Sequence, residues 1–223
     1  MITTGWPLSS ARKTEFLDVA NGVTCSDMAD FPVEFSGAVG ANLGDTHVVC
    51  GGRDSSGQPF EKCYRFKNSV WEEFASMKEK KDDAAAVMHN DKLHVFGGSS
   101  GSLASFQTSE TINVDGEVSD GPDLPAGVRE HAMTAINDTM SLLSGGWRLV
   151  TNSTLYNPYS AKTWYYNHDT ETFTSGPDLF QGRSEHGSAI SVDKVSKSKI
   201  VVITGGYNNG ALDSTELLIN GQW

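Results

Sequence analysis

Apolar residues come in short runs along this chain, and four of the runs close on a glycine pair. They are Val48-Val49-Cys50-Gly51-Gly52, His94-Val95-Phe96-Gly97-Gly98, Leu142-Leu143-Ser144-Gly145-Gly146 and Val202-Ile203-Thr204-Gly205-Gly206. A degenerate copy, Ile2-Thr3-Thr4-Gly5, opens the chain. The second glycine of successive copies falls at positions 5, 52, 98, 146 and 206, a spacing of 47, 46, 48 and 60 residues. Self-similarity at such a period marks tandem units, each too thin to bury its own apolar face. No helical period is visible, so the pattern predicts strands throughout.

Each unit lays over the next. A segment of small residues leads it: Gly37-Ala38-Val39-Gly40, Ala84-Ala85-Ala86-Val87, Ala132-Met133-Thr134-Ala135 and Gly187-Ser188-Ala189-Ile190. A tight turn, such as Asn90-Asp91, leads into the diglycine run. A polar loop of variable length follows, then a β-prone segment that in three units starts Ser/Thr-Glu: Thr14-Glu15, Ser109-Glu110 and Thr215-Glu216. A last segment is centred on an aromatic residue, Trp71, Phe173 or Trp223. Four short strands per unit, here a to d, predict the antiparallel blades of a β-propeller. Small residues suit strand a, where blades converge on the axis, and the aromatic strand d suits the periphery. Glycine at the end of strand b frees the backbone for a bulge or a positive φ.

The diglycine followed by Tyr64, six residues and Trp71 resembles the Kelch repeat, complete in the second unit and substituted in the others. Thr24-Cys25 stands where the first unit should carry its Trp, and Val118 or Ser119 where the third should. The resemblance covers essentially the whole chain. It implies an all-β Kelch propeller of four-stranded antiparallel blades. About five blades are expected in one domain, residues 1–223, with repeats near 1–35, 36–82, 83–128, 129–184 and 185–223. The first unit lacks its strand a. Four full units after it predict a fragment of a six-bladed propeller, with a five-bladed ring as the alternative. The structural residues of the repeat are Gly51, Gly52, Gly97, Gly98, Gly145, Gly146, Gly205, Gly206, Tyr64, Trp71 and Trp223.

A net charge of -11 argues against nucleic acid and against an anionic membrane surface as partners. No apolar run is long enough for a membrane-spanning helix. Three cysteines, Cys25, Cys50 and Cys63, are too few for a disulfide scaffold and form no Cys-x-x-Cys. Cys50 and Cys63 flank one diglycine loop. A disulfide between antiparallel strands is one reading, two reduced half-buried thiols the other. Two Asn-x-Ser/Thr sequons start at Asn137 and Asn152, a number that chance supplies.

Antiparallel order puts the b–c and d–a loops on one rim and the short a–b and c–d turns on the other. Function on such scaffolds sits on long loops, so the b–c/d–a rim is the expected binding face. Its candidate residues are Arg53, Trp147, Arg148, Tyr156, Tyr159 and Tyr207 on b–c loops, and Arg129 and Arg183 on d–a loops. Trp, Tyr and Arg bury large areas with little entropy loss, which is why they dominate interfaces. Glu130-His131 and Glu185-His186 recur at matching blade positions and are expected to satisfy buried backbone groups, not to do chemistry.

The histidines show no metal-ligand spacing, and there is no nucleophile elbow or phosphate loop. No catalytic residue, metal or cofactor is therefore expected. The expected function is a non-enzymatic module binding a protein partner. The Kelch resemblance implies substrate recognition beside a BTB domain in ubiquitin-ligase adaptors, hence a cytoplasmic setting, or actin binding. Two alternatives remain: an extracellular recognition module with Cys50–Cys63 bonded, and a propeller enzyme acting on sugars.

Overall fold

Alternating strands with small residues at one end and aromatic residues at the other build flat sheets that can only be stable when stacked. The computed structural model describes residues 2–3, 12–18, 20–25, 28–101, 104–148 and 157–223. The first sheet is β1 (Ile2–Thr3), β2 (Thr14–Asp18) and β3 (Val23–Cys25). Then come β4 (Phe35–Ser36), β5 (Val39–Leu43), β6 (Thr46–Cys50), β7 (Arg53–Asp54), β8 (Lys62–Lys67) and β9 (Val70–Ser76). Of these, β5-β6-β8-β9 form the second blade, and β4 pairs with β7 at its end. The third blade is β10 (Ala85–His89), β11 (Lys92–Phe96), β12 (Ser109–Asn113) and β13 (Val118–Asp120). The fourth is β14 (Ala132–Ala135), β15 (Met140–Ser144), β16 (Thr163–Asn167) and β17 (Thr172–Ser175). The fifth is β18 (Gly187–Val192), β19 (Lys199–Thr204) and β20 (Thr215–Leu218).

All pairings are antiparallel, and the small-residue strands β5, β10, β14 and β18 lie side by side, each against the next. That row of inner strands makes the molecule a β-propeller with no helix among the described residues. The fifth blade has three strands among the described residues, where four were expected, and the Asn220-Gly221 turn beyond β20 is closed by a bridge between Ile219 and Gln222. Trp223 still docks inward, its indole N–H donating to the Pro177 carbonyl at 2.7 Å.

The core sits in the seams between blades. Between the first and second blades Phe31, Phe35, Val49, Tyr64 and Trp71 cluster, and the Trp71 indole donates to Thr14 Oγ1 of the first blade at 3.0 Å. Val48, Cys50 and Met77 of the second blade meet Leu93, Val95 and Ile112 of the third. Phe96 and Val87 meet Leu143 and Tyr166. Leu142 and Leu179 meet Val201, Ile203 and Leu218. Each fully buried side chain of this size contributes about 1.5–3 kcal/mol, available only once a neighbouring blade is in place. Cys50 and Cys63 face each other in the β6–β8 register and are joined as a disulfide.

The diglycine is the mechanical joint of the seam. In all four copies the first glycine has φ between +61° and +67° and the second between +92° and +98°. The second glycine donates its N–H to the d–a loop leading into the next blade: Gly52 to Lys81 at 2.7 Å, Gly98 to Val128 at 2.9 Å, Gly146 to Arg183 at 2.8 Å. The residue after the diglycine pairs with the d–a loop of its own blade, as Ser99 with Asp82, Trp147 with Arg129 and Tyr207 with Ser184. No side chain fits between two loops held so closely.

Two of these loops are pinned by charge and two by apolar contact. Lys81 and Arg183 occupy equivalent positions, both fully buried, and each meets the strand-c glutamate of the blade that follows. Arg183 donates to Glu216 Oε1 at 2.6 Å and to the carbonyls of Gly205 and Ser214, while Glu216 accepts from the Phe180 N–H at 2.7 Å. Lys81 Nζ lies 3.8 Å from Glu110, which accepts from the Lys78 N–H at 2.6 Å. Where the loop residue is apolar, the strand-c partner is too: Phe35 clusters with Tyr64, and Val128 with Trp164. The Ser/Thr-Glu motif is thus a clamp on the preceding loop. Replacing Glu216 by Gln is expected to cost about 2 kcal/mol in urea unfolding, since Arg183 would keep its charge but lose an ionised acceptor. Arg183→Val with Glu216→Trp, which copies the apolar seam, should recover part of that loss.

Candidate functional site

The d–a loops end on one left-handed residue per blade, and these residues form a chain of hydrogen bonds across the inner end of the long-loop rim. Gly37, Asp83, Glu130 and Glu185 have φ of +67°, +52°, +56° and +53°. Asp83 N–H donates to the Gly37 carbonyl at 2.8 Å, Glu130 N–H to Asp83 at 2.8 Å, and Glu185 N–H to Glu130 at 2.9 Å. The turned backbone sets a row of carboxylates beside the inner strands. Burial raises the Asp83 pKa above the usual carboxylate range, against the pull of Arg53, and burial likewise raises Glu130, against its Ser184 hydrogen bond and Arg129. Arg53 pairs with Asp83 and, through Nε at 3.1 Å, with Asp82. Glu130 and Glu185 stand out in the sequence as repeat-equivalent Glu-His pairs, whereas Asp83 holds the same repeat position without a histidine after it.

The expected rim residues separate into three groups. Arg53, Arg129, Trp147, Arg148, Tyr159 and Tyr207 lie on the b–c and d–a loops. Arg129 Cζ sits 4.2 Å over the Trp147 ring, which is buried. Tyr159 of the fourth blade and Tyr207 of the fifth meet edge to face, centroids 5.6 Å apart, and Tyr207 is 42% exposed. The Arg148 N–H donates to the Pro158 carbonyl at 2.9 Å. Arg183 is corrected: it is fully buried in the clamp with Glu216 and offers nothing to a partner. In the repeat it aligns with Val128, which is buried at the equivalent place one blade earlier. Tyr156 lies outside the described residues.

His131 and His186 follow the left-handed glutamates inward. Both are buried, and His186 Nε2 is paired with Ser144 Oγ at 3.0 Å. Burial lowers His131 to about 3, and burial followed by the charge of Arg183 lowers His186 to about 4. These are packed neutral rings, closed off from solvent chemistry. Among the described residues no set of three His, Cys, Asp or Glu side chains is arranged to hold a metal ion, and no helix is long and apolar enough to cross a membrane.

No family model matches the chain. No curated protein matches it either. Among solved structures 189 chains are similar. One, described as "Structure of YjhT", superposes with a TM-score of 0.78 at 14% identity, over 96% of this chain and 77% of that one. The chain has the fold of a β-propeller. At that level of identity the likeness carries the fold alone.

Proposed function

We propose that this chain is a non-enzymatic Kelch-type propeller that binds a protein partner on its b–c/d–a rim. The observation that carries the reading is the aromatic and arginine crescent on adjacent blades: Tyr159 against Tyr207, with the Arg129–Trp147 stack beside it. Bridges from Trp147 to Arg129 and Tyr159, and from Tyr207 to Ser184, hold these side chains in place, so little order has to be gained by them on binding. A role as the substrate-recognition part of a larger adaptor is the finer form of this proposal. No nucleic acid is proposed as a partner.

The test is capture of partners from a cell extract by the wild-type chain and by Tyr207→Ala and Tyr159→Ala variants. Each variant should weaken capture by about 2 kcal/mol, some thirtyfold, as interface anchors do. Unchanged thermal unfolding would keep that loss assigned to the rim. Equal recovery by all three proteins would refute the rim.

A second reading is favoured by one observation, the bonded pair Cys50–Cys63. Such bonds persist in oxidising compartments, which suits an extracellular recognition module. A non-reducing peptide map of protein from its native source should recover the two cysteines in one linked fragment. Two free thiols would remove this reading.

A further inference from the structure

On the rim opposite the long loops, the third and fourth blades meet through imidazole rings. His89, at the end of β10, stacks on His168, just past β16, with centroids 4.3 Å apart and planes 17° apart. His94 on β11 stands edge-on to both, 6.2 Å from His89 and 5.7 Å from His168. His168 Nε2 is paired with Ser141 Oγ at 2.8 Å, and Asn90 Nδ2 donates to His89 Nε2 at 2.9 Å, which requires that nitrogen to be unprotonated. The Tyr166 ring lies 4.8 Å from His168. The Nδ1 atoms of His94 and His168 and the Tyr166 hydroxyl are buried without a hydrogen-bond partner. The arrangement suits three neutral rings and has no acceptor ready for a second proton on His94.

The surrounding charges sharpen this. Lys92, the first residue of β11, adds positive charge near His94, as His89 and His168 do when protonated. Asp169 is beside His168, and the charge of Glu171 acts on Tyr166. Asp138 and Lys199 line the cleft of about 410 Å³ that opens next to His89. Burial first, then the neighbouring imidazoles, hold both His94 and His168 down to about 4.

We propose that this stack is a pH-operated latch between the third and fourth blades, closed while the rings are neutral and forced open when protons accumulate on them. Stacked imidazoles attract as neutral aromatic rings and repel as imidazolium ions. Acid therefore weakens this seam through the stack itself, beyond what it costs the propeller at His131 and His186. The latch stands independently of the rim proposal, although the same seam carries Arg129 and Trp147 at its other end.

Amide hydrogen exchange at about pH 7.5 and about pH 5, corrected for the intrinsic rate, tests it. Protection of 85–96 and 163–168 should fall at least about tenfold at the lower pH relative to β5 and β6, because opening exposes rings that bind protons near their ordinary value. His89→Asn with His168→Gln should shrink that acid-dependent loss at least about threefold, leaving the part that the burial of His94 alone supplies. Unchanged protection in the wild type, or the same acid loss in the double variant, would overturn the latch. Should the double variant fail to fold, titration of the wild-type imidazoles by NMR decides. Protonation of His94 and His168 well below the free-imidazole range supports it, and both titrating as free rings overturns it.

Discussion

Gly145→Ala is expected to destabilise the protein by on the order of 4 kcal/mol, whereas Gly205→Ala, at the same repeat position, costs only about 1–2 kcal/mol. The two glycines have nearly the same backbone, φ +61° and +67°. A left-handed alanine therefore carries the same intrinsic penalty at both. What differs is what the methyl group meets. At Gly145 it would lie 2.5 Å from the Arg183 carbonyl oxygen and 2.7 Å from Cε1 of His186. Neither can step aside: Arg183 is locked to Glu216, its carbonyl holds the Gly146 N–H, and His186 is held by Ser144. At Gly205 the nearest atom is the Leu212 carbonyl oxygen at 3.7 Å. Urea denaturation of the two variants measures the difference, and equal midpoints would show that backbone conformation, not the seam, is the reason for the repeat's glycines.

The second large effect is acid destabilisation. His131 and His186 titrate in the folded protein at about 3 and about 4, against 6.5 when free. Between those values the unfolded chain binds protons that the folded one refuses, so stability rises with pH. Their contribution is fully present above 6.5 and drains away as the pH falls from there towards 4. By about pH 5 each has lost about 2 kcal/mol, or about 4 kcal/mol together. Asp83 and Glu130 act in the other direction. Their pKa values are raised, so the folded form takes up protons first and acid favours it through them, over a window just above the ordinary carboxylate range. The urea midpoint measured from pH 7 to pH 5 should fall steeply, and less so in His131→Gln. A midpoint that stays level across that range would mean that these rings are solvated.

Much of the scaffold was legible because it depends on local rules. Gly-Gly after an apolar run demands positive φ, and all four copies have it. Small residues mark the inner strands β5, β10, β14 and β18, and Trp71 marks an outer one. The bridge between Ile219 and Gln222 was not legible, since Asn220-Gly221 signals a turn equally well before a strand or a single bridge. The candidate site was legible only in part. Tyr207 and Arg53 follow a diglycine and reach the rim, but Arg183 matched them in residue type and lies in the core.

By itself, then, the amino-acid order determined the period, the strand sequence within a blade and the rim on which long loops emerge. Each of these needs only residues a few positions apart. The tertiary structure decided which side chains face one another across seams: Arg183 with Glu216, Asp83 beside Glu130, His89 on His168. Those partners are 33, 47 and 79 residues apart. Repeat alignment gives a residue's place in its own blade, but its neighbour is set by how the next blade leans against it, and that follows from packing in the seam.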